Sequence, residues 1–153
     1  MTVHTTAGST IAICAATPAT FDATGYAALT WAIIGEVTDL GEFGREYALV
    51  THNPIDKRST VKKKGSFNEG ALTLQVGLDE DDEGQTIAVD VRDSDDDASI
   101  RITLKDGTIH YMQAAVMSFK IGAGSVDTIT GATINLEITT NDDGVGIVKV
   151  AAA

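Results

Sequence analysis

Three stretches of the chain alternate apolar and polar residues with a period of two. In residues 70–77 (GALTLQVG), Leu72, Leu74 and Val76 interleave with Ala71, Thr73 and Gln75; in residues 98–105 (ASIRITLK), Ile100, Ile102 and Leu104 do the same; in residues 132–139 (ATINLEIT), Ile134, Leu136 and Ile138 follow suit. Successive side chains of a strand point to opposite faces, so each stretch predicts a strand with one face in a core and the other wet or in an interface. Asp106-Gly107 separates the second stretch from an apolar segment over 108–119. Asp-Gly suits a two-residue turn with positive φ at both central positions, so residues 99–119 read as a β-hairpin. Its second arm is apolar on both sides, as a strand buried on two faces would be. Residues 28–37 (ALTWAIIGEV) have the same character, with Trp31 as a core anchor.

One segment shifts to the helical period. In residues 84–94 (GQTIAVDVRDS), Ile87, Ala88 and Val91 fall on one stripe, and Asp81, Asp82 and Glu83 precede it, where the exposed N–H groups of a helix start favour negative charge. The β-branched Thr86, Val89 and Val91 oppose a helix on local propensity alone. Residues 41–68 show weak periodicity and contain Pro54 and several Gly and Asn breakers, so they read as a long excursion between two strands. Excursions of that length in compact domains are usually functional or disordered.

A length of 153 residues is that of one domain, residues 1–153, and 15 glycines against 2 prolines with abundant Thr, Val and Ile lean toward strands and tight turns. The first 44 residues hold no Lys or Arg, and the longest early apolar run, residues 11–16, has only six residues, which fits neither a signal peptide nor a membrane span. Residues 1–16 are read as a flexible N-terminal arm. The single Cys14 forms no internal disulfide and reads as a small buried hydrophobe.

Candidate chemistry is sparse. His4, His52 and His110 lie far apart, none at metal-ligand spacing from another His or from Cys14, and no nucleophile elbow, Walker loop or glycine-rich nucleotide fingerprint is present. No catalytic residue, metal ligand or cofactor is expected. Residues 79–90 superficially copy a calcium loop, but Thr86 stands where an apolar residue belongs and Asp90 where a bidentate Glu does, so the acids read as a solvated face.

Charge changes the picture most. The chain carries a net −11, which disfavours binding to nucleic acid or an anionic membrane, yet residues 42–64 contain six bases (Arg45, Lys57, Arg58, Lys62, Lys63, Lys64) against three acids. Residues 79–97 hold ten acids, among them Asp79, Glu80, Asp81, Asp82, Glu83, Asp95, Asp96 and Asp97, against the single Arg92. Two patches of opposite sign invite copies of one protein to associate head to tail, and such a contact propagates if it does not close.

The order of features over residues 17–140 resembles the major tail proteins of long-tailed phages that form non-contractile tail tubes. The resemblance rests on the early Trp31 strand, the GEFGREY to THNP segment, the K-x-K-G-S-x-N-x-G lead into an apolar strand, an acidic D-x-x-G-Q helix start and a terminal V-D-x-I strand pair. It implies a mainly β fold, a β-sandwich or barrel of the tail tube type with one flanking α-helix at 82–93 and a long loop or hairpin excursion. It also implies hexameric rings stacked into a tube that passes genomic DNA without specific binding, in the virion tail after assembly in the host cytoplasm. The partners implied are further copies of the chain, the tape measure, the tail terminator and the initiator complex, with no membrane. On this reading residues 41–68 form an inter-ring loop whose cations (Arg45, Lys57, Arg58, Lys62, Lys63, Lys64) meet an acidic face of the next ring, and the lumen is lined with carboxylates, Glu137 being a candidate. Two alternatives stand beside it: a ring protein of a contractile injection or type VI secretion system, and a calcium-dependent β-sandwich module binding carbohydrate.

Overall fold

The computed structural model describes residues 3–152. In chain order the elements are β1 (Thr10–Cys14), α1 (Ala23–Ala27), β2 (Ala32–Ile33), β3 (Val37–Asp39), β4 (Glu46–His52), β5 (Val61–Asn68), β6 (Ala71–Gly77), α2 (Glu83–Arg92), β7 (Ala98–Thr103), β8 (Ile109–Gly122), β9 (Gly131–Thr139) and β10 (Val148–Val150). The main sheet runs β2-β1-β7-β8-β9-β6-β3 with all pairings antiparallel, β10 adds to β8, and β4 and β5 form a separate two-stranded ribbon. The mainly β expectation therefore holds.

The three alternating stretches form the strands expected of them. Leu72, Leu74, Ile100, Ile102, Ile134 and Leu136 are each at most 1% exposed, together with Ile11, Ile13 and Met112. Burying each such side chain contributes about 1.5–3 kcal/mol. The 14-residue β8 is the spine: β7 pairs its first half on one edge, while β10 and then β9 share the other. Tyr111, Met112, Gln113 and Ala114 are all buried, the two-faced burial that its composition predicts.

Topology forces this sheet to curl. Seven strands side by side would span about 29 Å if flat, yet β2 and β3 occupy opposite ends of the order and are joined by only the residues between Ile33 and Val37, which reach at most about 15 Å. The ends must therefore approach one another, and α2 closes the seam. Asp82 is the N-cap of α2, its carboxylate accepting from Gln85 N at 2.9 Å and from Gly35 N at 3.1 Å. Gln85, 2% exposed, donates through Nε2 to the carbonyls of Gly35 (3.2 Å) and Gly77 (2.9 Å) and accepts from Asp79 N (3.1 Å). Gly84 lies so close to the Ile33 carbonyl that a Cβ would overlap it. Glu36 takes a left-handed φ of 58° in the same link and accepts from Gly77 N at 2.7 Å. Ala88 and Val91, on the apolar stripe of α2, join the main core.

Four expectations are corrected. Residues 28–37 do not form one buried strand; Gly35 and the left-handed Glu36 break them into β2 and β3. Trp31 is only partly buried and precedes β2, its Nε1 donating to the Tyr26 carbonyl at 3.0 Å and its ring lying against Tyr111 and the Arg101 guanidinium. The anchor is Tyr26, fully buried at the end of α1, stacked on Tyr111 at 5.1 Å and accepting from Gln113, which also donates to Ser99. The Asp106-Gly107 turn is longer than two residues: Leu104 O accepts from Gly107 N, Leu104 N donates to Thr108 O, and only Gly107 has positive φ, at 96°. This is the three-residue loop with a left-handed glycine. Finally, residues 10–14 of the supposed N-terminal arm are β1, an interior strand whose last four side chains are buried, Cys14 included.

Replacing Gln85 with Leu leaves the Gly35 and Gly77 carbonyls and the Asp79 N–H unpaired at the seam. Chemical denaturation should show a loss of about 2–4 kcal/mol. His110, on β8, lies edge-on to Phe43 at 5.0 Å, and burial, reinforced by Lys149 and opposed by Asp106, lowers its pKa from the usual 6.5. The unfolded chain then binds the proton more readily, so this stabilisation is complete above about pH 6.5 and is lost as pH falls from there through the lowered folded-state pKa. Thermal unfolding between about pH 7.5 and 5.5 should show that decline, and the His110→Gln protein should show a shallower one.

Candidate functional site

The candidate site is the β4–β5 ribbon. Every side chain of β4 is exposed, and of β5 all but the partly covered Gly65 are too. The expected excursion over 41–68 is thus an ordered hairpin standing off the body. Seven residues of β4 carry it outward by about 23 Å. Pro54 O accepts from Lys57 N at 3.3 Å to make the turn at the tip, where Ile55 is fully exposed beside Lys57 and Arg58.

Pairing places Leu49 opposite Lys64, Val50 opposite Lys63, Thr51 opposite Lys62 and Tyr47 opposite Phe67, with an irregularity between Tyr47 and Leu49. Lysine thus alternates between the two faces. At the base the Arg45 guanidinium sits 3.9 Å over the Phe67 ring, Phe67 packs edge-on against Tyr47 at 5.7 Å, and Lys64 Nζ lies 4.9 Å over Tyr47. Arg45 Nε also donates to Glu69 Oε1 at 2.7 Å, and the Glu69 side chain is only 2% exposed, walled in by Gly146. Arg45 is therefore tied to its own chain as the latch of the hairpin. Lys57, Arg58, Lys62 and Lys63 make no ion pair within the described residues.

The acids do not form one face. α2, about 15 Å long, separates Asp79, Glu80, Asp81, Asp82 and Glu83 from Asp95, Asp96 and Asp97. Asp82 is engaged at the seam, and Asp79 accepts from Asp81 N at 3.0 Å. Asp79, Glu80 and Asp90 edge an apolar groove between α2 and the end of β8, whereas Asp95, Asp96 and Asp97 line a polar hollow with Thr17, Phe21 and Gln113. Among the described residues no group of three or more His, Cys, Asp or Glu is arranged to hold a metal ion.

The outward face of β6, β9 and β8 is polar. Hydroxyls and amides cover it, linked by hydrogen bonds from Thr73 to Asn135 (3.0 Å), Thr133 to Gln75 (3.0 Å) and Asn135 to Ser118 (2.9 Å). By strand register Glu137 is its only carboxylate and Lys120 its only cation. The V-D-x-I residues, Val126 and Ile129 among them, lie in the exposed β8–β9 loop, outside any strand.

No protein-family model and no curated protein matches the sequence. The fold, however, has a solved counterpart. It is similar to a chain of the anti-feeding prophage (AFP) baseplate, whose cryo-EM structure is 6-fold symmetrised, with a TM-score of 0.66 at 12% identity over 94% of this chain and 92% of that one. At that identity the likeness is one of fold.

Sequence reasoning missed Tyr26, Glu69 and Gln85. Gln85 and Glu69 both sit inside segments quoted for the family resemblance, D-x-x-G-Q and K-x-K-G-S-x-N-x-G, where polar residues bordered by glycine mark close backbone approach. Replacing Arg45 with Met should free the hairpin base while leaving the barrel intact. Amide exchange at Tyr47 and Phe67 should accelerate, with exchange at Ile100 and Ile134 unchanged.

Proposed function

We propose that this chain is a structural protein that assembles with its own copies into six-membered rings, stacked into the hollow tube of a phage tail. The β4–β5 ribbon is the observation that carries the proposal. A lone two-stranded hairpin is at best marginally stable in water. This one extends over six residue pairs with Leu49, Val50, Ile55 and Phe67 exposed and is held at its base by Arg45 and Glu69. A neighbouring copy would cover what the monomer leaves open.

The main sheet supports a ring in its own way. β8 has no strand beside residues 115–122 on its β7 side, and β6 carries no strand on its outer edge beyond the β3 pairs at Gln75 and Val76, among the described residues. Unpaired edges at opposite sides of the β8–β9–β6 segment are a liability in a monomer and natural joints in a head-to-tail ring. The wet polar face of that segment would then line the lumen. Genomic DNA would slide past hydroxyls and amides that offer few fixed charges, and no catalytic step is assigned. The tape measure, terminator and initiator proteins would be partners at the tube ends, in the virion tail after assembly in the host cytoplasm.

A second reading, a ring protein of a contractile injection system, draws on the AFP baseplate neighbour, itself a component of a 6-fold symmetrised assembly. The two readings share ring and tube and differ in the machine.

Purified protein at high concentration should form rings or hollow tubes in negative-stain electron microscopy. Light scattering should fall as salt is raised, because surface charge pairs are screened within about 10 Å at 0.1 M salt. Neutralising Lys57, Arg58, Lys62, Lys63 and Lys64 together should stop tube growth; normal tubes from that variant would show that the ribbon's charges play no part in assembly. A monomer under all conditions counts against the proposal.

A further inference from the structure

We infer that the groove between α2 and the end of β8 is the receptor for the ribbon tip of a second copy of this chain, with Ile55 as the inserted side chain. The inference rests on the self-assembly reading above and adds to it the two surfaces that meet. The groove has a volume of about 370 Å³ and is floored by Leu78, Val89, Phe119 and Ile121. Ile121 is 57% exposed there, although its neighbour Phe119 is only 8% exposed. Asp79, Glu80 and Asp90 stand around the floor. The basic side chain at this site, Arg92, is already engaged by both oxygens of Asp93, at 3.0 Å each, which leaves the edge acidic.

The ribbon tip has the complementary make-up. Ile55 occupies the crest of the Pro54–Lys57 turn with its whole surface in water, followed by Asp56 and then by Lys57 and Arg58, so the tip carries two cations against one carboxylate. An exposed apolar knob on a tip of net positive charge fits an apolar groove edged by three carboxylates. A copy cannot fill its own groove with this tip, because the ribbon extends about 23 Å away from the body. The contact is heterologous, tip to groove, and leaves each copy with one unused tip and one unused groove, so it propagates. Aliphatic anchoring supplies affinity, and the charges around it set approach and register.

The test combines cross-linking with charge exchange. In a Cys14→Ser background, the Ile55→Cys protein is mixed with the Ile121→Cys protein and oxidised under assembly conditions. A mixed 55–121 disulfide is expected, at a yield well above that from Ile55→Cys mixed with a Thr73→Cys control on the wet face. Separately, Ile55→Ser should raise the concentration at which assemblies form by about tenfold or more, as truncating a buried interface anchor does. Lys57→Glu with Arg58→Glu should do likewise, and adding Asp79→Lys with Glu80→Lys to that variant should restore assembly. Assemblies that form normally in the wild type but give neither the 55–121 disulfide nor the charge rescue would overturn the groove assignment and leave self-assembly standing. A wild-type protein that never assembles would overturn both.

Discussion

Everything in this molecule depends on closing a seam. The sheet order puts β2 and β3 at opposite ends although scarcely a turn of chain joins them, so the sheet curls or the chain cannot connect. Curling brings together backbone groups that no strand pairing satisfies. The Gly35 amide and carbonyl, the Gly77 carbonyl and the Asp79 amide all find partners in two side chains, Asp82 and Gln85, at the first turn of α2. A buried amide side chain has two donors and two acceptor positions, and Gln85 uses both ends. One helix start thus caps itself and fastens the sheet, and the same helix lays Ala88 and Val91 into the core that curling creates.

With the seam closed, the ribbon is left outside the body. Its direction is set locally. Arg45 stacks on Phe67 while bonding Glu69, and Lys64 reaches back over Tyr47, so cation and ring alternate across the base. Cation–π contacts of this exposed kind are worth about 0.5–1 kcal/mol each, enough to favour one direction of the hairpin without burying it. The cations nearest the body orient the ribbon; those farther out, Lys57, Arg58, Lys62 and Lys63, remain available.

Strands were legible where one face is core and the other wet, because period-two alternation in residues 71–76, 100–104 and 134–138 reflects a single physical requirement. The helix was legible from its stripe and acidic start despite poor propensity, since burial of Ala88 and Val91 outweighs the local cost of β-branched residues. Trp31 misled because size was taken for burial: the indole keeps its N–H on a nearby carbonyl at the rim, while the fully buried Tyr26 finds Gln113, 87 positions away in sequence. The cationic ribbon was visible in composition alone. Its division into latch and free charges was not, because nothing near Arg45 in sequence announces that Glu69 is buried beside Gly146. The acids read as one block because they are contiguous on paper, and the helix between them carries the two clusters apart.

That separation alters the electrostatic argument for assembly. A subunit of net −11 repels its copies at long range, and a diffuse acidic face would add to the repulsion wherever it was not matched. Concentrating the partner charge at one groove, and placing the cations on a projecting tip, confines attraction to short distances where an apolar contact can also form. Salt screens the exposed charge pairs that guide the tip into the groove, so the apolar contact forms less readily as salt is raised. Charge on this chain therefore serves mainly to choose where copies meet, while the apolar surface left uncovered on the ribbon and beside α2 supplies the reason to meet at all.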